Sequence, residues 1–364
     1  MSIIYGVLHS LLIMALTHTL EIVNQNIIKN LSNVKSPGLL NGKTGILIYL
    51  CRLSRYSEEE LYQEQARFLL EDIYYQLGTK SISPGFGYGL AGIAWGIEHL
   101  VQNGFFEANT DEVLYEIDDK VFYHLTNWEG QLLDLQNGLL GYGFYLVSRL
   151  KNKSLVNPLG RDFLLKRLLI ELINQLYAII EMKEELLVEP TTFRIDWSLP
   201  LMLYLLTSLK ELDIYESKID IILKRLNAIV LSVIPFCHTN RFYLLCSIEA
   251  ILQQANLKDW KEHAQLLNDS IIGDKLVASF SDKNIRGVDG MPGLGLLGLL
   301  SKRLQKDKKY NVFINKLNER IVQSSSLEIM DTKKRLQERE LCIEVGISGM
   351  ALSLLYNLEL QKGI

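Results

Sequence analysis

The residues of this sequence best placed to do chemistry are acidic side chains standing just ahead of apolar runs. Asp134 leads DLQNGLLGYG, Asp196 leads DWSLPLMLYLL, Asp289 lies within GVDGMPGLGLL, and Glu344 precedes VGISGMALSLL. Carboxylates gathered at one place can act as general acid and base or accept hydrogen bonds from a ligand. At helix starts they also have a structural use, because aspartate caps well and negative charge is favoured at a helix N-terminus. Both readings stay open for Asp134, Asp196 and Asp289. Other candidate ligands are scattered. Cys51, Cys237, Cys246 and Cys342 form no CxxC pair, which argues against a disulfide framework and fits a reducing cytoplasm. Cys237 and His238 are adjacent, which raises a displaced metal site at a loop–helix junction. No further ligand stands at a recognisable spacing, and a lone buried cysteine serves as a small hydrophobe. Trp95, Trp128 and Trp197 read as core or cavity wall rather than stacking platforms, with Trp197 and His238 kept as binding candidates beside Asp289 and Glu344.

What positions these residues is a repeated unit. Gly138 and Gly141 open an apolar run, and the same Gly-x-x-Gly recurs as Gly42/Gly45, Gly89/Gly92, Gly290/Gly293 and Gly346/Gly349. Glycines three apart share one helix face, and each costs roughly 1 kcal/mol in a helix against alanine. Two of them at a helix start therefore imply close backbone approach or a turn into the helix. Between Gly138 and Gly290 there is room for two more copies. Asp196–Leu206 fits one, with Pro200 near the second glycine slot, and Thr239–Leu252 fits the other without glycines. The units recur roughly every 50 residues, and each interval holds an amphipathic stretch such as Tyr62–Tyr75, Leu164–Ile180 or Ile219–Val233. This predicts seven helical hairpins in one domain over residues 1–364. The mostly apolar second helices favour a closed ring, because a helix apolar on most sides must be buried on most sides. In a closed ring, Asp134, Asp196, Asp289 and Glu344 form an acidic rim at one mouth.

Composition excludes some classes. A net charge of −4 argues against a nucleic-acid partner. The runs Ser301–Lys309 and Asp331–Glu340 read as solvated outer faces. The apolar N-terminus lacks a positive n-region and a clear cleavage site, so it reads as a first outer helix, and no window makes a convincing membrane span.

Asp-x-x-x-Gly-x-x-Gly followed by an apolar helix, phased about seven times from Leu39 to Leu355, resembles the lanthionine synthetase C-like family. The resemblance implies an all-α fold, an α/α toroid with seven inner helices inside seven outer ones. It implies a central zinc that activates a peptide cysteine thiolate for addition to a dehydrated Ser or Thr, with precursor peptides and other maturation enzymes as partners. The family's zinc cysteine precedes a Gly-x-Pro-Gly frame, kept here as Gly290–Gly293, but Val288 takes its place. The Cys-His pair of the last repeat falls on Glu344 and Val345. The third-repeat aspartate is kept as Asp134, and the fourth-repeat histidine position falls on Asp196. Valine coordinates nothing and one carboxylate cannot hold zinc alone, so the expectation is no metal and no cofactor. The function expected is a zinc-less, peptide-binding or accessory member, a pseudoenzyme of peptide modification. Two alternatives stand beside it: an enzyme of carbohydrate chemistry using Asp134 and Asp196 as cavity carboxylates, and a thioether-forming cyclase that works without metal.

Overall fold

The computed structural model describes residues 2–127, 132–151, 161–182, 187–301, 304–333 and 335–363. Among the described residues there is no strand, and fourteen helices of ten or more residues alternate between two layers. The inner layer is α2 (Lys43–Ser57), α4 (Leu90–Gln102), α6 (Leu139–Leu150), α8 (Ser198–Glu211), α10 (His238–Leu252), α12 (Met291–Leu300) and α14 (Ile347–Lys362). The outer layer is α1 (Ser2–Asn30), α3 (Glu60–Thr79), α5 (Tyr115–Thr126), α7 (Arg161–Met182), α9 (Glu216–Ser232), α11 (Lys258–Ser270) and α13 (Lys308–Val322).

Each inner helix packs on the next, and α14 packs back on α2, so the inner layer is a closed ring. Six outer helices follow their inner partners in sequence. The seventh hairpin is assembled from the two ends of the chain, because α1 lies against α14. The fold is thus the α/α toroid that the phased glycines imply.

The two layers differ in what they bury. Nearly every position of α12 is buried, including Met291, Leu294, Leu297 and Leu299. Outer helices bury one stripe only, such as Tyr310, Phe313, Leu317 and Ile321 of α13. The first helix behaves the same way. By length and composition alone, Ser10–Asn33 is long and apolar enough to cross a membrane, and in the fold it takes the place of the outer helix read from the sequence. In the fold, Leu12, Leu16, Leu20, Val23 and Ile27 form a buried stripe while Leu11 and Met14 are exposed.

The second glycine of each pair has a definite reason. A Cβ on Gly45, Gly92, Gly141, Gly293 or Gly349 would lie 1.7–2.3 Å from the carbonyl oxygen of the residue six positions earlier. Real side chains do not approach backbone so closely. The loop ahead of each of these five inner helices therefore folds flat against the helix's first turn, and only glycine leaves room for it.

Candidate functional site: the mouth of the ring

The flattened loops join into a girdle. Ile195 N–H donates to the Val288 carbonyl, Val288 to Glu344, Glu344 to Leu40, Leu40 to Gly87, and Gly87 to Gln136, at 2.8–3.0 Å. Each of these six residues stands two positions ahead of its helix N-cap: Trp197, Gly290, Gly346, Gly42, Gly89 and Gly138. The fifth repeat is passed over. Its corresponding residue is Pro235, two ahead of the N-cap Cys237, and proline has no N–H to donate. Its carbonyl instead accepts from Arg241 Nε.

Two connected spaces lie at the girdle. The outer one is a polar mouth of about 610 Å³, whose wall includes Tyr88, Arg194, Arg286, Asp289, Arg339 and Glu344. The inner one is a pit of about 220 Å³ whose wall is almost wholly apolar, with Leu40, Ile195, Leu201, Val288, Leu296 and Leu352. Asp196, Gln136 and Glu344 are the polar residues of its wall, and Glu344, shared with the mouth, marks the neck between the two spaces.

The acidic candidates have separate fates. Glu344 accepts from Tyr88 Oη and from Gln136 Nε2, both at 3.0 Å. Burial, and then the charge of Glu344, push the Tyr88 phenol up to about 12, so it stays a donor. Asp196 is held by Arg194 through two contacts at 2.8 and 2.6 Å. Asp289 Oδ2 meets Arg286 at 2.6 Å, while its Oδ1 is buried with no hydrogen-bond partner among the described residues. Neither aspartate caps its helix, since Trp197 and Gly290 are the N-cap residues. Their carboxylates, with those of Glu344, keep Arg194 above the usual guanidinium range; the hydrogen bond to Asp196 is the largest cause.

Asp134 is not in the wall of either space. Its Oδ1 accepts from the backbone amides of Gln136 and Asn137 at 2.7 and 2.8 Å. It thereby positions Gln136, whose side chain holds Glu344 and whose carbonyl accepts from Phe86 and Gly87. Asp289 thus lines the mouth, Asp196 the pit and Glu344 both, while Asp134 acts through Gln136.

Trp197 is buried in the core, edge-on to Tyr243 with its ring centroid at 6.4 Å. His238 Nδ1 accepts from the Ile272 amide at 3.3 Å, beside the loop that follows α11. Cys237 instead donates to the Thr191 carbonyl at 3.4 Å. The adjacent Cys-His pair is therefore pulled to two different neighbours and does not converge on a point. Trp95 is half-buried and stacks on His99 at 5.1 Å, while Trp128 lies outside the described residues.

The zinc positions can be tested on their donors. Val288, Glu344 and Val345 all stand in the wall of the mouth, so the structure brings the three positions together. Two are valines, and the third is a carboxylate already held by a phenol and an amide. Cys342 is close by, but it is buried, its thiol is pushed up by burial, and it donates to the Arg339 carbonyl at 3.2 Å. This donor set does not fit tetrahedral zinc.

Several mouth residues escaped the sequence reading. Arg194 and Arg286 are the local partners of Asp196 and Asp289, and the signals were the short R-x-D and R-x-x-D spacings. The run Asp331–Glu340 is corrected in part, since Gln337, Glu338 and Arg339 turn into the mouth. Glu338 accepts from the amides of Lys35 and Ser36 at 3.0 and 2.6 Å, which ties the run to the first loop.

A closed ring of seven helical hairpins, with a girdled mouth above an apolar pit, defines the α/α toroid class. A solved structure to which the chain is similar is that of nisin cyclase, with a TM-score of 0.66 and 16% identity, covering 96% of this chain and 94% of that one. At that identity the likeness is one of fold. No protein-family model and no curated protein matches the sequence.

Proposed function

We propose that this chain is a lanthionine synthetase C-like protein that binds a peptide at the ring mouth without zinc, working as an accessory of peptide maturation rather than as an active cyclase. The observation that carries the reading is the replacement of all three ligand positions, at one wall of one mouth, by two valines and a hydrogen-bonded carboxylate. The toroid likeness to a protein named a cyclase supports the peptide-modification part. We take the chain as one domain. Its four free cysteines, Cys51, Cys246 and Cys342 of them buried, suit a reducing cytoplasm. The carbohydrate reading gains nothing from the mouth, where Asp196 and Asp289 are each tied to an arginine.

Metal content tests the zinc-less part. Mass spectrometry of the purified protein is expected to find well under one zinc per chain, and one zinc per chain lost on Cys237→Ala would overturn the reading. The triple change Val288→Cys, Glu344→Cys, Val345→His should create micromolar or better zinc affinity, at about 2.0–2.3 Å per ligand, where each single change does not. Co-purification with short cysteine-containing peptides tests the binding part, and failure to retain any of them counts against it.

A further inference from the structure

The pit and its neck select a ligand more narrowly than "a peptide", and the selection rests on the peptide-binding reading above. At about 220 Å³ the pit is smaller than the roughly 300–1,000 Å³ of drug-sized ligand sites. It suits one large apolar side chain. Its wall, with Leu201, Leu296 and Leu352, is almost wholly apolar, and a charged group buried against it is costly. A lysine inserted there would carry its ammonium into leucines.

The neck is acidic. Three arginines of the mouth, Arg194, Arg286 and Arg339, face four carboxylates, Asp196, Asp289, Glu338 and Glu344. The arginines and Asp289 stand in the wall of the mouth, Asp196 in that of the pit, and Glu344 in both. Glu344 is hydrogen-bonded by neutral donors, Tyr88 and Gln136. Asp289 carries a buried oxygen that lacks a donor among the described residues, an arrangement that is unfavourable until a donor arrives. Counted over the mouth and the pit together, four carboxylates against three guanidiniums leave one negative charge over, and one acceptor lacks a donor among the described residues. A carboxylate placed there would meet Glu344 and Asp196, so a peptide C-terminus does not fit.

We infer that the mouth takes a free peptide N-terminus whose first residue is large and apolar, with that side chain in the pit and the α-ammonium between Glu344 and Asp289. The ring supplies shape and the neck supplies charge, so each half of the ligand is required.

Calorimetry on the full chain tests this with the amidated peptides Leu-Gly-Gly and Phe-Gly-Gly, their N-acetylated forms, and Ser-Gly-Gly. Acetylation, or serine at the first position, should weaken binding by at least about tenfold, as loss of a charge-assisted hydrogen bond or of an apolar anchor would. Glu344→Gln and Asp289→Asn should each weaken the free-amine peptides by about tenfold and leave the acetylated ones unchanged. Val288→Phe, which fills the pit, should abolish binding of Leu-Gly-Gly. Acetylated peptides binding as tightly as free ones would overturn the inference. If Val288→Phe does not fold, judged by its circular dichroism melt, the acetylation series and Asp289→Asn decide. If the tripeptides fail while longer cysteine-containing peptides bind and ignore Glu344→Gln, this inference falls and the peptide-binding reading stands. If no peptide binds, both fall.

Discussion

Gly92→Ala is the most direct probe of how the mouth is built. An alanine Cβ there would lie 1.7 Å from the Phe86 carbonyl oxygen. Reaching even 3.0 Å requires a backbone shift of about 1.3 Å, in a core packed too tightly to absorb it. The loop is not free to move. Phe86 and Gly87 donate to the Gln136 carbonyl at 2.7 and 3.0 Å, and Leu40 donates to Gly87 at 2.8 Å. Overpacking of this kind costs about 1–3 kcal/mol, and loosening two girdle hydrogen bonds adds about 1 kcal/mol each. The intrinsic helix gain of alanine over glycine returns roughly 1 kcal/mol. The net expectation is a destabilisation of about 3 kcal/mol, read by urea unfolding followed by far-ultraviolet circular dichroism. Gly78→Ala is the matched control, since a Cβ on Gly78 near the end of α3 meets nothing within 4 Å. It should stabilise by about 0.5–1 kcal/mol. A Gly92→Ala loss below about 0.5 kcal/mol, or equal effects at the two sites, would refute the close-approach argument.

His99 predicts a pH dependence. Burial first, then Arg52 and Lys151, push its imidazole down to about 4, below the unfolded value of about 6.5. The unfolded chain therefore binds the proton more readily, and this contribution, about 1–3 kcal/mol, is present above pH 6.5 and lost as pH falls from about 6.5 to 4. His99→Phe, which keeps the stack on Trp95, should flatten urea midpoints over that window. Arg149 is fully buried between α4 and α5, where it meets Asp118 at 2.7 Å and also pairs with Glu98. Arg149→Met should cost about 3–5 kcal/mol by leaving buried carboxylates without their cation. Adding Asp118→Asn and Glu98→Gln should recover part of the loss in thermal melts.

The glycine series made the inner ring legible because its cause is local: a loop lies on the first helical turn at five of the seven repeats. The fifth slot was legible as a helix, but the sequence alone did not reveal that its loop leaves the girdle. That required knowing which loops bond across the mouth, and only then does the missing N–H of Pro235 matter. Arg194 and Arg286 lie two and three residues from their partners and could have been found. Tyr88 and Gln136 could not, because they meet Glu344 across 256 and 208 residues and only after the ring closes. The rim was half right for the same reason. Asp196, Asp289 and Glu344 lie one or two residues ahead of their N-caps and line the mouth or the pit, whereas Asp134 lies further back and spends its carboxylate on its own loop.

The pairing of α1 with α14 governs how the chain can be made. A ribosome delivers α1 before its partner α14, with twelve described helices of ten or more residues between them. Until then the stripe Leu12, Leu16, Leu20, Val23 and Ile27 has nothing to pack on from its own hairpin. The contacts that seat it, such as Asn30 Oδ1 accepting from the Leu336 amide at 2.9 Å, span about three hundred residues, and long-range closure of this sort is slow. The nascent protein thus carries an exposed, span-like helix throughout its synthesis. Substitutions there should lower yield in cells well before they lower the melting temperature of the finished ring.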